Sequence, residues 1–163
     1  MLVTREADYA IRCVMEVARH ERISAAQVAA RQEISPTFLG KIVQSLARAG
    51  ILATRRGVGG GIALAMPIGS ITLLQVIEAV EGPLCLNECL TDPPRCLHSR
   101  TCPAFPYLCE AQKSLRSILD VSFAHMMDTE EDTSLPTPAL EALVELSPNG
   151  RNRGARRSKA DAP

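Results

Sequence analysis

Six cysteines occur in the chain, and five of them, Cys85, Cys89, Cys96, Cys102 and Cys109, fall between positions 85 and 109. Thiols this crowded can form disulfides, hold a structural zinc or ligate an iron-sulfur cluster. Cys89, Cys96 and Cys102 are separated by six and then five residues, and Pro93, Pro94 and Pro103 keep the stretch out of helix and strand. Zinc sites usually chelate from close C-x-x-C pairs, and this segment has none. Wide, nearly even spacing suits three thiolates that approach separate irons from an irregular loop. The spacing therefore favours a cluster and leaves zinc and a thiol switch open. Cys85 and Cys109 flank the three as spare thiols, a resolving pair or substitute ligands, and His98 reads as a solvated loop histidine.

The elements that must position this loop belong to a small protein. At 163 residues the chain is one domain by size with room for an appendage. With 46% apolar residues and 3% aromatics, its core has to be aliphatic. No apolar run approaches the eighteen residues of a membrane span, and "MLVTREADYAIR" places charges where a secretory leader is apolar. These features predict a cytoplasmic protein without membrane contact, and a reducing cytosol disfavours disulfides. The net charge of zero conceals an uneven distribution. Residues 1–56 hold nine Arg or Lys against five Asp or Glu, whereas residues 57–128 hold four against seven. A basic first half suits a nucleic-acid contact confined to one part of the fold.

Ala7, Ala10, Ile11, Val14, Val17 and Ala18 form a helical stripe that takes in Cys13 as a core thiol. Ser24 and Gln27 have capping-box spacing, which predicts a short helix from about Ala25 to Arg31. Ser35 caps a third helix with Pro36 at its first position, and Phe38, Leu39, Ile42, Val43 and Leu46 line its buried face. Thr37, Gly40, Lys41, Gln44, Ser45 and Arg48 then face outward, a set able to reach phosphates and base edges. Two short helices joined by a tight turn have the form of a helix-turn-helix. "ILATRRGVGGGIALA" follows as two strands around Arg55, Arg56 and glycines that include Gly59 and Gly60, the pattern of a basic β-hairpin wing. Neither a P-loop nor a dinucleotide fingerprint is met, because no Gly-Lys-Ser/Thr follows the glycines and Ile62 stands where a third glycine would be needed. Nothing resembles a catalytic triad or a substrate domain, so an enzyme is not expected, and a small electron carrier is the weaker alternative to a regulator. Thr72 and Gln75 repeat the capping-box spacing before "LLQVIEAVE", which Gly82 and Pro83 end.

From Tyr107 onward, Leu108, Ala111, Leu115, Ile118, Leu119, Ser122 and Met126 share one face at helical spacing. That stripe is too long for the small domain to bury, so it predicts a helix packing against a second copy. The reading divides the chain into a winged helix-turn-helix domain over 1–82, a cysteine-rich loop over 83–106, a dimerisation helix over 107–128 and a flexible tail over 129–163. The fold class is mainly α with a small β-hairpin wing. In the tail, "PALEALVEL" could coil briefly, and "RNRGARRSK" offers added attraction to phosphate.

"LVTREADYAIR", "ISPTFLGKIVQSLARAGIL", "RRGVGGGIAL", "ITLLQVIEAVEGP" and the three spaced cysteines together resemble the Rrf2 family of bacterial regulators, over roughly residues 1 to 127. The resemblance implies a homodimeric winged-helix transcription factor; a symmetric dimer suits a palindromic double-stranded DNA operator, and the cluster-bound dimer is expected to be a repressor. The resemblance further implies an iron-sulfur cluster of two or four irons that tunes DNA affinity to nitric oxide, redox state or iron. Cys89, Cys96 and Cys102 match the family's three cluster ligands, and the first gap is six residues where some members have five. Phe105 stands where one branch places a histidine ligand. Asp8 matches an N-terminal carboxylate that other members donate from the partner subunit, which makes it the implied fourth ligand.

Overall fold

Thr4 opens the first helix, α1 (Arg5–Ala18), by accepting the Glu6 N–H on its hydroxyl. The coordinates are a computed structural model that describes residues 4–57, 59–99 and 101–129. Ala7, Ala10, Cys13, Val14 and Val17 are buried along one face of α1, as the stripe requires. Burial pushes the Cys13 thiol up to about 12, with the Glu16 charge adding to the shift, so Cys13 is an inert core thiol.

Ser24 caps α2 (Ala25–Arg31) in a reciprocal box with Gln27. Ser35 caps α3 (Pro36–Arg48) by accepting the Phe38 N–H, and Leu39, Ile42, Val43 and Leu46 point into the core. Between α2 and α3 the chain turns through Glu33 at φ +54°, and the Ile34 N–H donates back to the Ala29 carbonyl at 2.9 Å. Tyr9 meets Phe38 edge-on, with ring centroids 5.7 Å apart, and joins α1 to α3.

Gly50, at φ +73°, ends α3 and turns the chain into the wing. Strands β1 (Leu52–Arg55) and β2 (Gly61–Leu64) pair antiparallel from Leu52↔Leu64 to Arg55↔Gly61. Ile23 adds an unforeseen bridge to Ile62, with N–H to carbonyl distances of 3.0 and 2.7 Å. This explains two of the wing glycines. A Cβ on Gly61 would stand 2.6 Å from the Ile23 carbonyl oxygen, and one on Gly60 would stand 2.3 Å from that of Arg55. The protein's own backbone requires glycine at both places.

Helix α4 (Leu73–Glu81) has the expected Thr72–Gln75 box and stops at Gly82, φ +83°. A 3₁₀ turn at Glu88–Leu90 interrupts the cysteine loop, and α5 (Phe105–Leu119) begins within the stretch expected to be loop. The expected single helix over 107–128 is divided: Asp120 ends α5, and α6 (Phe123–Asp128) follows. Tertiary pairing causes the break. The Leu73 N–H donates to the Val121 carbonyl and the Phe123 N–H to the Ile71 carbonyl, both at 2.9 Å, and the Phe123 ring is fully buried in the domain core. Ser122 and Met126 thus leave the stripe, while α5 itself has no buried residue and Ile118 is 63% exposed.

The fold is therefore mainly α with a two-stranded antiparallel sheet, as the sequence predicts. Met1–Asp128 and Thr129–Pro163 are separate units. The tail readings, "PALEALVEL" and "RNRGARRSK", lie outside the described residues.

One buried acid fastens α1 to α2. Glu16, 6% exposed, accepts from Arg31 Nη1 at 2.7 Å and Gln32 Nε2 at 3.0 Å, and His20 Nε2 lies 3.2 Å away. Arg31 foremost, with His20 and Gln32, holds its carboxyl below the ordinary value of 4.5 against the upward push of burial. Because folding lowers this pKa, the stabilisation is fully present above about pH 4.5 and is lost as pH falls through the lower folded value. Glu16→Gln should cost about 1–3 kcal/mol at neutral pH. In denaturant melts taken across pH, the gap to wild type should then narrow below that point.

Candidate nucleic-acid interface and thiol site

Helix α3 presents Thr37, Lys41, Gln44 and Arg48 to solvent, with Gly40 and Ser45 half-buried between them. Arg48 turns back on its own helix, where Nε donates to the Gln44 carbonyl at 3.3 Å and Nη2 to Ser45 Oγ at 3.2 Å. Only Ala49, Gly50 and Ile51 separate α3 from β1, and Arg55 and Arg56 are exposed at the far end of that strand. The basic surplus of residues 1–56 is not spread evenly. Arg12 pairs with Asp8, and Arg19 and Arg31 pair with Glu16. Lys41, Arg55 and Arg56 have no ion-pair partner among the described residues. Exposed cations without an ion pair are thus carried by the second helix of the helix-turn-helix and the wing that follows it, and also by Arg5 and Arg22. Gly59, at φ +73°, faces open space, whereas the Gly60 N–H donates to the Gly57 carbonyl at 2.9 Å and closes the wing.

The thiols occupy the other end of the sequence unit. All six are free, and Cys89 is buried on the 3₁₀ turn Glu88–Leu90, which packs on α5. Cys96, Cys102 and Cys109 are half-buried. Backbone closures gather the loop: the Arg95 N–H donates to the Glu88 carbonyl at 3.0 Å, and the Phe105 N–H donates to the Cys102 carbonyl at 3.1 Å. Thr91 Oγ1 donates to the Glu88 and Pro93 carbonyls. Burial pushes the Cys89 thiol up, and the charges of Cys96, Cys102 and Cys109 push it the same way. No group of three or more His, Cys, Asp or Glu among the described residues is closed to metal-binding distance. By donor chemistry the set nevertheless fits an iron-sulfur cluster, because it comprises soft thiols, free of disulfides, within one short segment.

The structure brings Cys89, Cys96 and Cys102 into one neighbourhood and leaves Asp8 outside it within this chain. Asp8 is on α1, half-exposed, and its carboxylate lies 3.1 Å from Arg12 Nη2. His98 is exposed on the loop.

Three residues without a sequence signal tie the loop to the helices. Glu78 Oε1 on α4 accepts from the Leu84 N–H at 2.9 Å and from Arg116 Nη1 on α5 at 2.6 Å. Gln112 Oε1 on α5 accepts from the Leu86 N–H at 2.9 Å. The Gln112–Leu86 and Arg116–Glu78 pairings join residues far apart in the chain, so no local spacing could reveal them.

Comparison with known proteins bears on this arrangement. Residues 3–129 match the Rrf2 family, described as iron-dependent transcriptional regulators. The chain belongs to this family. It is 37% identical to protein aau3 of Rhizobium meliloti (strain 1021) over 91 residues, 55% of this chain and 59% of that one. It is 33% identical to the HTH-type transcriptional regulator IscR of Vibrio cholerae over 92 residues, 55% of this chain and 53% of the relative. The matches thus span little more than half the length of these two relatives. The solved structure of T. potens IscR superposes with a TM-score of 0.64 at 21% identity, covering 85% of this chain and 96% of that one, which shows the winged-helix fold. The Rrf2 family is one of transcriptional regulators, and nothing in the match points to an enzyme. Among the described residues, no helix is long and apolar enough to cross a membrane.

Glu78→Ala should free the Leu84 amide and the Arg116 guanidinium together. Hydrogen exchange at Leu84 should accelerate, and the apo protein should lose about 1–3 kcal/mol in denaturant melts. Unchanged exchange at Leu84 would mean that the loop is held by something else.

Proposed function

We propose that this Rrf2 protein binds double-stranded DNA through α3 and the wing, and that an iron-sulfur cluster held by the cysteine loop sets its affinity. The observation that carries the reading is the coexistence, on one small fold, of three gathered free thiols with unpaired cations on the second helix of a helix-turn-helix and its wing. Thr37, Lys41, Gln44 and Ser45 would meet base edges and phosphates in the major groove. Arg48, Arg55 and Arg56 would grip the backbone, with Gly59 allowing close approach and Gly60 shaping the turn. Gly40 offers no side chain to a base, so sequence preference rests on its neighbours or on DNA shape. The apolar stripe of α5, only partly buried within one chain, would take the same stripe of a second copy and place two recognition helices on a palindromic site.

Cys89, Cys96 and Cys102 would hold the cluster, with a fourth position open to Asp8 of a second copy, as the family resemblance implies. When bound, the cluster supplies an iron centre that nitric oxide, oxygen or iron loss can damage. The protein's own part is mechanical. The thiolates order the loop, and Leu84 and Leu86 pass that order to Glu78 on α4 and Gln112 on α5. The loaded dimer would repress, and damage would release it.

Protein purified without oxygen should contain iron and acid-labile sulfide in equal amounts. On duplexes selected from a random pool, loaded and apo protein should differ about 5- to 150-fold in affinity. Zinc alone or bare thiols in a folded dimer would point to the second reading, a zinc or thiol switch, which the surplus thiols Cys85 and Cys109 favour. Equal affinity of loaded and apo protein would remove cluster control.

Lys41→Ala and Arg55→Ala should each reduce the slope of log affinity against log salt by about 1. An unchanged slope in both would place the DNA elsewhere on the protein.

A further inference from the structure

The two flanking thiols differ in what surrounds them. Cys85 donates from Sγ to the Asn87 carbonyl at 3.0 Å, within the turn that leads to Cys89. The Cys109 thiol makes no hydrogen bond among the described residues, and it lies on α5, the helix against which the Cys89 turn packs. It is one helical turn before Gln112, whose side chain anchors Leu86 on the same approach to Cys89. The Phe105 N–H bonded to the Cys102 carbonyl starts that helix, so Cys102 leads directly into the turn that carries Cys109. The Arg95 N–H bonded to the Glu88 carbonyl returns the neighbourhood of Cys96 to that of Cys89. Four thiols therefore collect at the N-terminal end of α5.

We propose that Cys109 is the fourth ligand, so that one chain supplies Cys89, Cys96, Cys102 and Cys109 to the cluster and Asp8 of a second copy supplies none; this rests on the cluster reading above. Each thiol gives up one proton to solvent as its sulfur becomes a ligand. A thiolate suits iron-sulfur chemistry better than the hard carboxylate it replaces, and Asp8 keeps its own partner, Arg12. Ligation by Cys109 would also fasten the cluster to α5 itself, on the side that carries Gln112 and Arg116.

The test uses full-length protein loaded with iron and sulfide without oxygen, in wild-type, Cys109→Ala, Cys85→Ser and Asp8→Ala forms. Visible and circular-dichroism spectra are recorded, together with the lifetime of the colour under an iron chelator. Cys109→Ala should alter the spectra and shorten the lifetime at least about 10-fold, the lower bound set by losses when groups merely supporting metal ligands are removed. Cys85→Ser and Asp8→Ala should match wild type. Alkylation of loaded wild type, mapped by mass spectrometry, gives a readout that needs no variant to fold: Cys109 should be protected with Cys89, Cys96 and Cys102 relative to apo protein, and Cys85 should react. Cys109 alkylated as fast in loaded as in apo protein, or an Asp8→Ala effect with Cys109→Ala silent, overturns the assignment while leaving the cluster. Wild type without iron and sulfide removes the cluster reading, and this inference with it.

Discussion

The Glu78 carboxylate is the constraint through which the thiol segment and the winged domain are joined. One oxygen, on a side chain about one quarter exposed, receives both the backbone N–H of Leu84 and the guanidinium of Arg116. Hydrogen bonds to a charged acceptor are roughly twice as strong as neutral ones, and at 26% exposure this acceptor is only partly screened by water. Helix α4, on which Glu78 sits, packs against α1 and α3, so a displacement of the loop start or of α5 is felt one helix away from the basic face. The segment between Gly82 and Phe105 has little else to fix it: it buries Leu84 and Cys89, and its hydrogen bonds are mostly within itself. Such a segment occupies the low-stability end of a structure, where a bound group has most to order.

Much of the fold is legible in the sequence because its signals are local. Ser24 with Gln27 and Thr72 with Gln75 form the capping boxes that their spacing announces, and Ser35 with Pro36 opens α3 as written. The aliphatic stripe of α1, including Cys13, is the buried one. The features that escape such a reading are those set by partners distant in the chain. The apolar spacing continues past Leu119, yet the helix stops there because the backbone at 121–123 pairs with residues 71–73 and because burying the Phe123 ring outweighs one more turn of helix. Glu16 of α1 has no local sequence signal for burial, and it is covered and paired only when His20, Arg31 and Gln32 arrive from the turn after α1, α2 and the turn after that. The wing glycines are legible as glycines that permit close approach, but what approaches Gly60 and Gly61 is the protein's own backbone at Arg55 and Ile23.

The thiol site is half-legible for a related reason. Spacing identifies Cys89, Cys96 and Cys102 as a set and leaves Cys85 and Cys109 equivalent, since each stands just outside the three. What separates the two is the fold: Cys85 is turned into a local hydrogen bond, and Cys109 is carried on the helix that the Cys89 turn packs against. Burial first, and the charges of neighbouring thiols after it, raise the Cys89 thiol. A cation relieves that repulsion, because it stabilises the thiolates against one another and is itself bound only in the deprotonated state.

Helix α5 gives this chemistry its mechanical leverage. It has no fully buried residue within its own chain, is tied to the loop and to α4 through Gln112 and Arg116, and starts at Phe105, whose N–H donates to the Cys102 carbonyl. A group bound by the loop would fasten the N-terminal end of this half-buried helix. Coupling between a thiol-bound group and DNA then needs only a difference of a few kcal/mol between an ordered and a disordered loop, since about 1.4 kcal/mol is a tenfold change in affinity. That energy is of the same order as the ties from Glu78 and Gln112, and the ties are therefore strong enough to transmit the change and weak enough to be released by it.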